Sequence, residues 1–257
     1  MSKGTALVTG ASGGIGAELA KLCAAGGHDV ILVARSTAKL EALAQSLSQD
    51  HGIAARPLSA DLADPKAPKA IFEQTRGDRV ELLINNAGFG WLGAYSQIDW
   101  SVETRMAQVN MVALAELTRL YLPEMLQRKS GRILNVASTA AFVPGPFMAM
   151  YYATKAFVVS LSLAIANEVK GSGVTVTVLC PGPTATGFSE AAGTAGSKLF
   201  EGAAMSAQEV ARDGYRAMMA GQPEVISGTR NRLMMLGTRL APRTMLAGIA
   251  RRLNSKA

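Results

Sequence analysis

Three side chains able to manage a proton on a carbonyl oxygen fall within one stretch: Ser138, Tyr151 and Lys155. A strand over residues 131–137 is expected to end at Ser138. A loop carrying Pro144 and Pro146 follows, and a helix is expected to begin near Met148. Tyr151 and Lys155 are four apart, so a helix stacks them on one face. A phenol ionises near pH 10 and alone exchanges protons poorly with an alkoxide at neutral pH. One positive charge about 4 Å away, at an effective dielectric of about 20, is worth roughly 4 kcal/mol, or about three pKa units. Lys155 is therefore expected to bring Tyr151 toward neutrality while Ser138 holds the substrate oxygen. A lone Tyr-x3-Lys also occurs in core helices with a snorkelling lysine. Tyr152 is within helical reach of Lys155 as well, so spacing alone does not choose between the tyrosines.

The elements that must position these groups alternate in type. Residues 5–9 (Thr-Ala-Leu-Val-Thr) read as a strand that stops at Gly10-Ala-Ser12-Gly-Gly14-Ile15-Gly16, after which helical periodicity starts. Strand, glycine-rich turn and helix form a context for binding phosphates, because glycines allow close backbone approach and the helix start presents free N–H groups. The second strand, residues 30–34, is followed by Arg35 where an NAD site would carry an acid. Arg35 suits a 2′-phosphate instead, through bidentate charge-assisted hydrogen bonds. A third strand ends at Asp61-Leu62, which could frame an adenine. A fourth, residues 80–84, ends in Asn85-Asn86-Ala87-Gly88, whose two amides must be satisfied by neighbouring loops or by the site. Asn110 lies among apolar residues in a long helical region over 99–128 and needs a partner there. A last apolar strand, residues 174–180, meets Pro181-Gly182-Pro183-Thr184-Ala-Thr186. This βα alternation, repeated about six times, predicts an α/β fold of one domain over 1–257. Its core is a single doubly wound parallel sheet of Rossmann type, with helices on both faces and ligands outside the strand C-termini.

Composition narrows the setting. Of 257 residues 49% are hydrophobic, ample for a large core. Cys23 and Cys180 lack metal-ligand spacing, so neither a disulfide framework nor a metal site is expected. No signal-peptide pattern and no eighteen-residue apolar run is evident, which predicts a cytoplasmic protein. The net charge of +7 resides in a basic amphipathic segment at about 229–257, which holds Arg230, Arg232, Arg239, Arg243, Arg251, Arg252 and Lys256 and no acid. That segment could lie on an anionic inner-membrane surface, pack on another subunit, or bind a coenzyme A-type phosphate. Nucleic-acid binding would rest on this tail alone and is not expected. An apolar substrate wall is expected from Phe89, Trp91, Phe142, Val143, Pro144, Phe147 and Met148, with residues 187–205 as a mobile lid.

In order and spacing, Thr9-Gly10-x3-Gly14-x-Gly16, Asn85-Asn86-Ala87-Gly88, Asn110, Ser138, Tyr151-x3-Lys155 and Pro181-Gly182 resemble the short-chain dehydrogenase/reductases. The tail over 230–243 is similar to a bacterial subgroup related to long-chain 3-oxoacyl reductases. The resemblance implies hydride transfer between a nicotinamide and a carbonyl or secondary alcohol, with NADP(H) favoured over NAD(H) by Arg35. Gly13, at a position often basic in NADP-preferring members, departs from that pattern. The resemblance also selects Tyr151 as the general acid or base, with Lys155 lowering its pKa and holding the nicotinamide ribose. Ser138 would orient the substrate oxygen, and Asn110 would anchor a water relaying protons to Lys155. Cofactor contacts are implied for Gly10, Ser12, Gly14, Ile15, Gly16, Arg35, Asp61, Leu62, Asn86, Ala87, Gly88, Pro181, Gly182, Thr184 and Thr186, besides Tyr151 and Lys155. A small-molecule carbonyl or alcohol substrate and a homodimer or homotetramer follow from the same likeness. The rival is a catalytically silent NADP-binding sensor or scaffold of the same fold. Arg35→Asp is expected to raise the NADH-over-NADPH preference at least tenfold in kcat/KM, whereas an unchanged ratio would assign the 2′-phosphate to another group.

Overall fold

The computed structural model describes residues 3–193, 204–238 and 240–255. The chain opens with β1 (Thr5–Thr9), α1 (Gly14–Ala25), β2 (Asp29–Ala34), α2 (Thr37–His51), β3 (Ala55–Ser59), α3 (Ala67–Gln74) and β4 (Val80–Asn85). After α4 (Trp100–Ala107), a π-helical segment (Gln108–Ala113) and α5 (Leu114–Gln127) come β5 (Gly131–Val136) and a 3-10 turn, Thr139–Phe142. Then follow α6 (Ala149–Glu168), β6 (Val174–Cys180), β7 (Thr184–Ala185), α7 (Phe188–Ala191), β8 (Met205–Ser206), α8 (Ala207–Met219), β9 (Glu224–Ile226), α9 (Thr229–Thr238) and α10 (Arg243–Asn254).

Seven strands form one parallel sheet in the order β3-β2-β1-β4-β5-β6-β9, and β7 pairs with β8 apart from it. The expected doubly wound sheet is therefore present. β9 is an addition, since three residues are too few to show a strand period in sequence. Winding reverses between β1 and β4, which opens a crevice at their C-terminal ends. One core packs α1, α2 and α8 on the sheet through Leu19, Cys23, Leu40, Leu47, Val210 and Met218. The other face is covered by α3 and α5 through Ile71, Leu117, Tyr121 and Met125.

By length and composition the helix α6 could cross a membrane, although polar residues spaced along it leave no continuous apolar run, as expected. Its Tyr151, Tyr152, Thr154, Lys155, Val158 and Ser162 are buried in the protein.

Polar residues pin this layer to the sheet. The Asn85 amide donates to Asn135 (2.9 Å) and to Thr118 on α5 (3.1 Å). The Asn135 amide donates to Ser162 on α6 (2.9 Å), whose hydroxyl donates to the Val158 carbonyl (2.6 Å). Only Asn86 meets the expectation, fixing the glycine loop and lining the cleft, whereas Asn85 is used inside the core on α5 and β5. Asn135→Ala would strand buried groups on both sides, so the unfolding free energy in urea should fall by about 2–4 kcal/mol. A loss below about 0.5 kcal/mol would show the ladder to be idle.

Candidate active site

The crevice is a cleft of about 970 Å³ running from Arg35, Ser36 and Lys39 past the glycine loop to Ser138, Tyr151 and Lys155. At its glycine end α1 has no side-chain cap and no acid in its first turn, so its leading N–H groups are left for a ligand. Gly10 has φ 68°, and a Cβ there would lie 2.7 Å from the Asn86 amide nitrogen and 2.9 Å from Ala87 Cα. Asn86 donates to the carbonyls of Thr9 (3.0 Å) and Gly10 (3.3 Å), fixing the loop from behind. Thr9 Oγ1 accepts from the N–H groups of Asn86 and Ala87, so the two strand ends are clamped together. Gly16 does not line the cleft; a Cβ there would sit 2.4 Å from the Gly10 carbonyl oxygen, so its role is close packing.

At the far end Arg35, Ser36 and Lys39 line the wall opposite Asp61 and Leu62. Among the described residues neither Arg35 nor Lys39 enters an ion pair. Two unneutralised cations beside a serine hydroxyl fit a phosphate monoester. Lys39 was missed in the sequence because it is a turn further along α2, where a surface lysine is unremarkable.

Ser138 lies two residues beyond β5 and caps the 3-10 turn: its hydroxyl accepts from Ala140 N–H (3.1 Å) and can donate to the Pro181 carbonyl (3.4 Å). Tyr151 is buried, and the Ser138 hydroxyl is close enough to its phenol to favour ionisation, which brings the expected pair together on the cleft wall. Lys155 lies over the Tyr151 ring, with Nζ 5.8 Å from its centroid, and donates to the Val136 carbonyl (2.9 Å). The shared helical face is as expected, but the electrostatics are not. Burial pushes the Tyr151 phenol well above its usual range, and only the Ser138 hydroxyl opposes this. Burial also lowers Lys155 to about 8, partly offset by the neighbouring Cys180 thiol. The ammonium reaches past the phenol to Val136, so the expected depression of the phenol is absent from the protein alone.

Asn110 lies in the π-helical segment, whose bend turns its side chain inward. Its Oδ1 accepts from Phe89 N–H (3.0 Å), and its amide donates to the Phe89 carbonyl (2.9 Å) and to Thr154 Oγ1 (3.1 Å). Three of the four hydrogen bonds an Asn can make are thereby used. The side chain holds the 88–89 loop against α6.

The expected substrate wall is revised. Phe142 packs toward Val158 and Val178, and Phe147 sits at φ 66° beneath Arg251, 5.1 Å from its ring centroid. Trp91 is 43% exposed. None of the three lines the cleft, whose apolar lining near Tyr151 is Phe89, Val109, Met148, Tyr152 and Phe188. Phe188 is 5.4 Å ring to ring from Tyr151 and was hidden in a segment whose composition suggests only a loop. The expected lid falls largely on residues 194–203, outside the described ones.

The profile of the short chain dehydrogenases matches residues 4–195, which span the glycine loop, Ser138, Tyr151 and Lys155. The chain belongs to the short-chain dehydrogenase family. A short-chain dehydrogenase from Sphingobium yanoikuyae, solved in complex with NADPH, superposes with a TM-score of 0.82 at 34% identity over 92% of this chain and 94% of that one. An uncharacterized oxidoreductase of Bacillus subtilis is 34% identical over 80% of this chain and 76% of its own length. A very-long-chain 3-oxoacyl-CoA reductase of Anas platyrhynchos is 32% identical over 72% of this chain and 61% of its own length. The match thus spans only about three fifths of that longer relative.

The pKa directions carry a consequence for this dehydrogenase. With Lys155 near 8, the free protein holds the ammonium below that pH and loses it above. Because kcat/KM reports the free enzyme, carbonyl reduction should fall about tenfold per pH unit above about 8. Lys155→Met should be slow and lack that limb; a wild-type profile flat to pH 10 would mean the ammonium is not required.

Proposed function

We propose that this short-chain dehydrogenase uses NADP(H) to reduce a carbonyl, or oxidise the matching secondary alcohol, on a mainly apolar substrate. The observation that carries the reading is that Ser138, Tyr151 and Lys155 line one cleft together with the glycine loop, Arg35 and Lys39. The cofactor reading is supported by the cleft residues themselves: a free helix N-terminus, glycines where a Cβ would clash, and two unpaired cations at the end remote from Tyr151. When bound, NADPH supplies the hydride.

The protein's residues supply everything else. Ser138 holds the carbonyl oxygen beside the phenol, and Tyr151 donates its proton as that oxygen gains charge. Burial keeps the phenol protonated in the free protein, the form needed for an acid. Lys155, one turn along α6, stabilises the phenolate left behind, which takes a proton back from solvent before the next turnover. Asn110 acts by position, holding Phe89 and Thr154 around Lys155.

The lining by Phe89, Met148, Tyr152 and Phe188 supports an apolar substrate, and the likeness to the duck reductase makes a long-chain 3-oxoacyl thioester the first to try. Two buried, unpaired cysteines suit a reducing cytoplasm. We place all of 1–257 in one domain. A homodimer or homotetramer would cover the outer face of α6, where Ala153, Ala156, Phe157 and Ala164 are exposed. No observation among the described residues favours a silent nucleotide sensor.

Tyr151→Phe should lower kcat about a hundred- to ten-thousandfold. Its NADPH dissociation constant, from nicotinamide fluorescence, should move less than threefold. Retained turnover would transfer the acid role to another residue, and turnover absent from the wild type with intact NADPH binding would favour the sensor.

A further inference from the structure

The function proposed above leaves the basic C-terminal pair of helices unused. On α10, Leu246, Ala250 and Asn254 are buried at four-residue spacing and face the protein. Asn254 accepts from the Tyr152 hydroxyl (3.3 Å) and donates to the Pro146 carbonyl (2.9 Å), so the helix is seated and not loosely appended. The neighbouring stripe, Met245, Ile249 and Leu253, is also spaced by four and points outward, with Met245 60% exposed. On α9 only Met235 is buried, while Leu233 is 70% exposed and Leu236 is also bare. Leu240, in the turn between the helices, is 91% exposed. Exposed arginines lie among these side chains: Arg230 and Arg232 on α9, Arg243 and Arg252 on α10.

We infer that the outer surface of α9, Leu240 and α10 docks the protein on an anionic lipid bilayer. Charge complementarity decides the occupant. From Arg230 to the C-terminus there are seven basic residues and no acidic one. A second copy seated face to face would set arginines against arginines with no carboxylate to pair them. A nucleic acid would answer the arginines but leave the exposed aliphatic side chains in water. An anionic bilayer answers both, with headgroups for the guanidinium groups and acyl chains for Leu233, Leu236, Leu240, Met245 and Ile249. The bilayer would lie near the Tyr151 end of the cleft, because α9 packs on the turn whose Thr139 and Ala140 line it, and Asn254 of α10 bonds the cleft-lining Tyr152. This inference does not depend on which reaction the cleft performs.

The test is co-sedimentation of the full chain with vesicles of phosphatidylcholine alone or with 30% phosphatidylglycerol. Binding should be at least tenfold stronger to the anionic vesicles and should fall at least fivefold between 0.1 and 0.5 M NaCl. The double variant Arg243→Glu, Arg252→Glu should lose at least tenfold, and Leu240→Asp at least threefold. All these positions are exposed, and unchanged melting and NADPH binding would show that the fold is kept. Equal binding to both lipids, or variants that bind as well as wild type, would overturn the inference. So would salt-sensitive DNA binding lost in the double variant without vesicle binding, or light scattering in which Leu240→Asp alters only the subunit number.

Discussion

A lysine ammonium removed from water and left with a backbone carbonyl is the constraint on which this site depends. Lys155 is 5% exposed, and its hydrogen bond is to Val136, the last residue of β5. Moving its pKa from 10.5 to about 8 means that burial charges roughly 3 kcal/mol for keeping the ammonium. Such a cost is met only where the surroundings are over-determined. Gly88 is one sign of this, because a Cβ there would lie 3.3 Å from Lys155 Nζ and 3.2 Å from Asn110 Oδ1. The absence of one side chain leaves room for the ammonium.

The rest of the architecture keeps that group in register with its neighbours. α6 carries Tyr151, Thr154, Lys155 and Ser162 toward the sheet, and the Asn85–Asn135–Ser162 chain fixes how far along the sheet the helix sits. The π-helical segment rotates Asn110 inward so that one amide spans from Phe89 to Thr154. π-bulges of this kind cost regular hydrogen bonding and recur at functional sites. Thr9 and Asn86 tie the glycine loop to the end of β4. The glycine-loop and Ser138 ends of the cleft are therefore built on β1 and β5, the strands on either side of β4 in one sheet.

Much of this was legible in the sequence, because hydrophobic runs bounded by glycine and proline define strands, and alternation with helices makes the sheet parallel. The positions of Ser138, Tyr151 and Lys155 could be read from spacing alone, and the choice of Tyr151 over Tyr152 from resemblance. In the structure Tyr152 is committed to Asn254, 102 residues away, a partnership no local pattern shows. The proton affinities were misread for a related reason. Spacing gives the distance between a phenol and an ammonium but not the water removed from both, and in the free protein burial raises the phenol and lowers the ammonium. The substrate wall failed likewise, since an aromatic in a loop looks the same whether it faces the cleft, as Phe188 does, or the core, as Phe142 does.

The central claim is the order in which the buried pair gives up protons in the free protein: Lys155 first, Tyr151 long after. It can be read directly by NMR, with ¹³C at lysine Cε and tyrosine Cζ assigned through Lys155→Met and Tyr151→Phe, over pH 6 to 11. The account predicts that the Lys155 signal titrates with a midpoint near 8 while the Tyr151 signal stays at its phenol position throughout. A Tyr151 signal that moves to the phenolate position below pH 8, with Lys155 still charged, would contradict it.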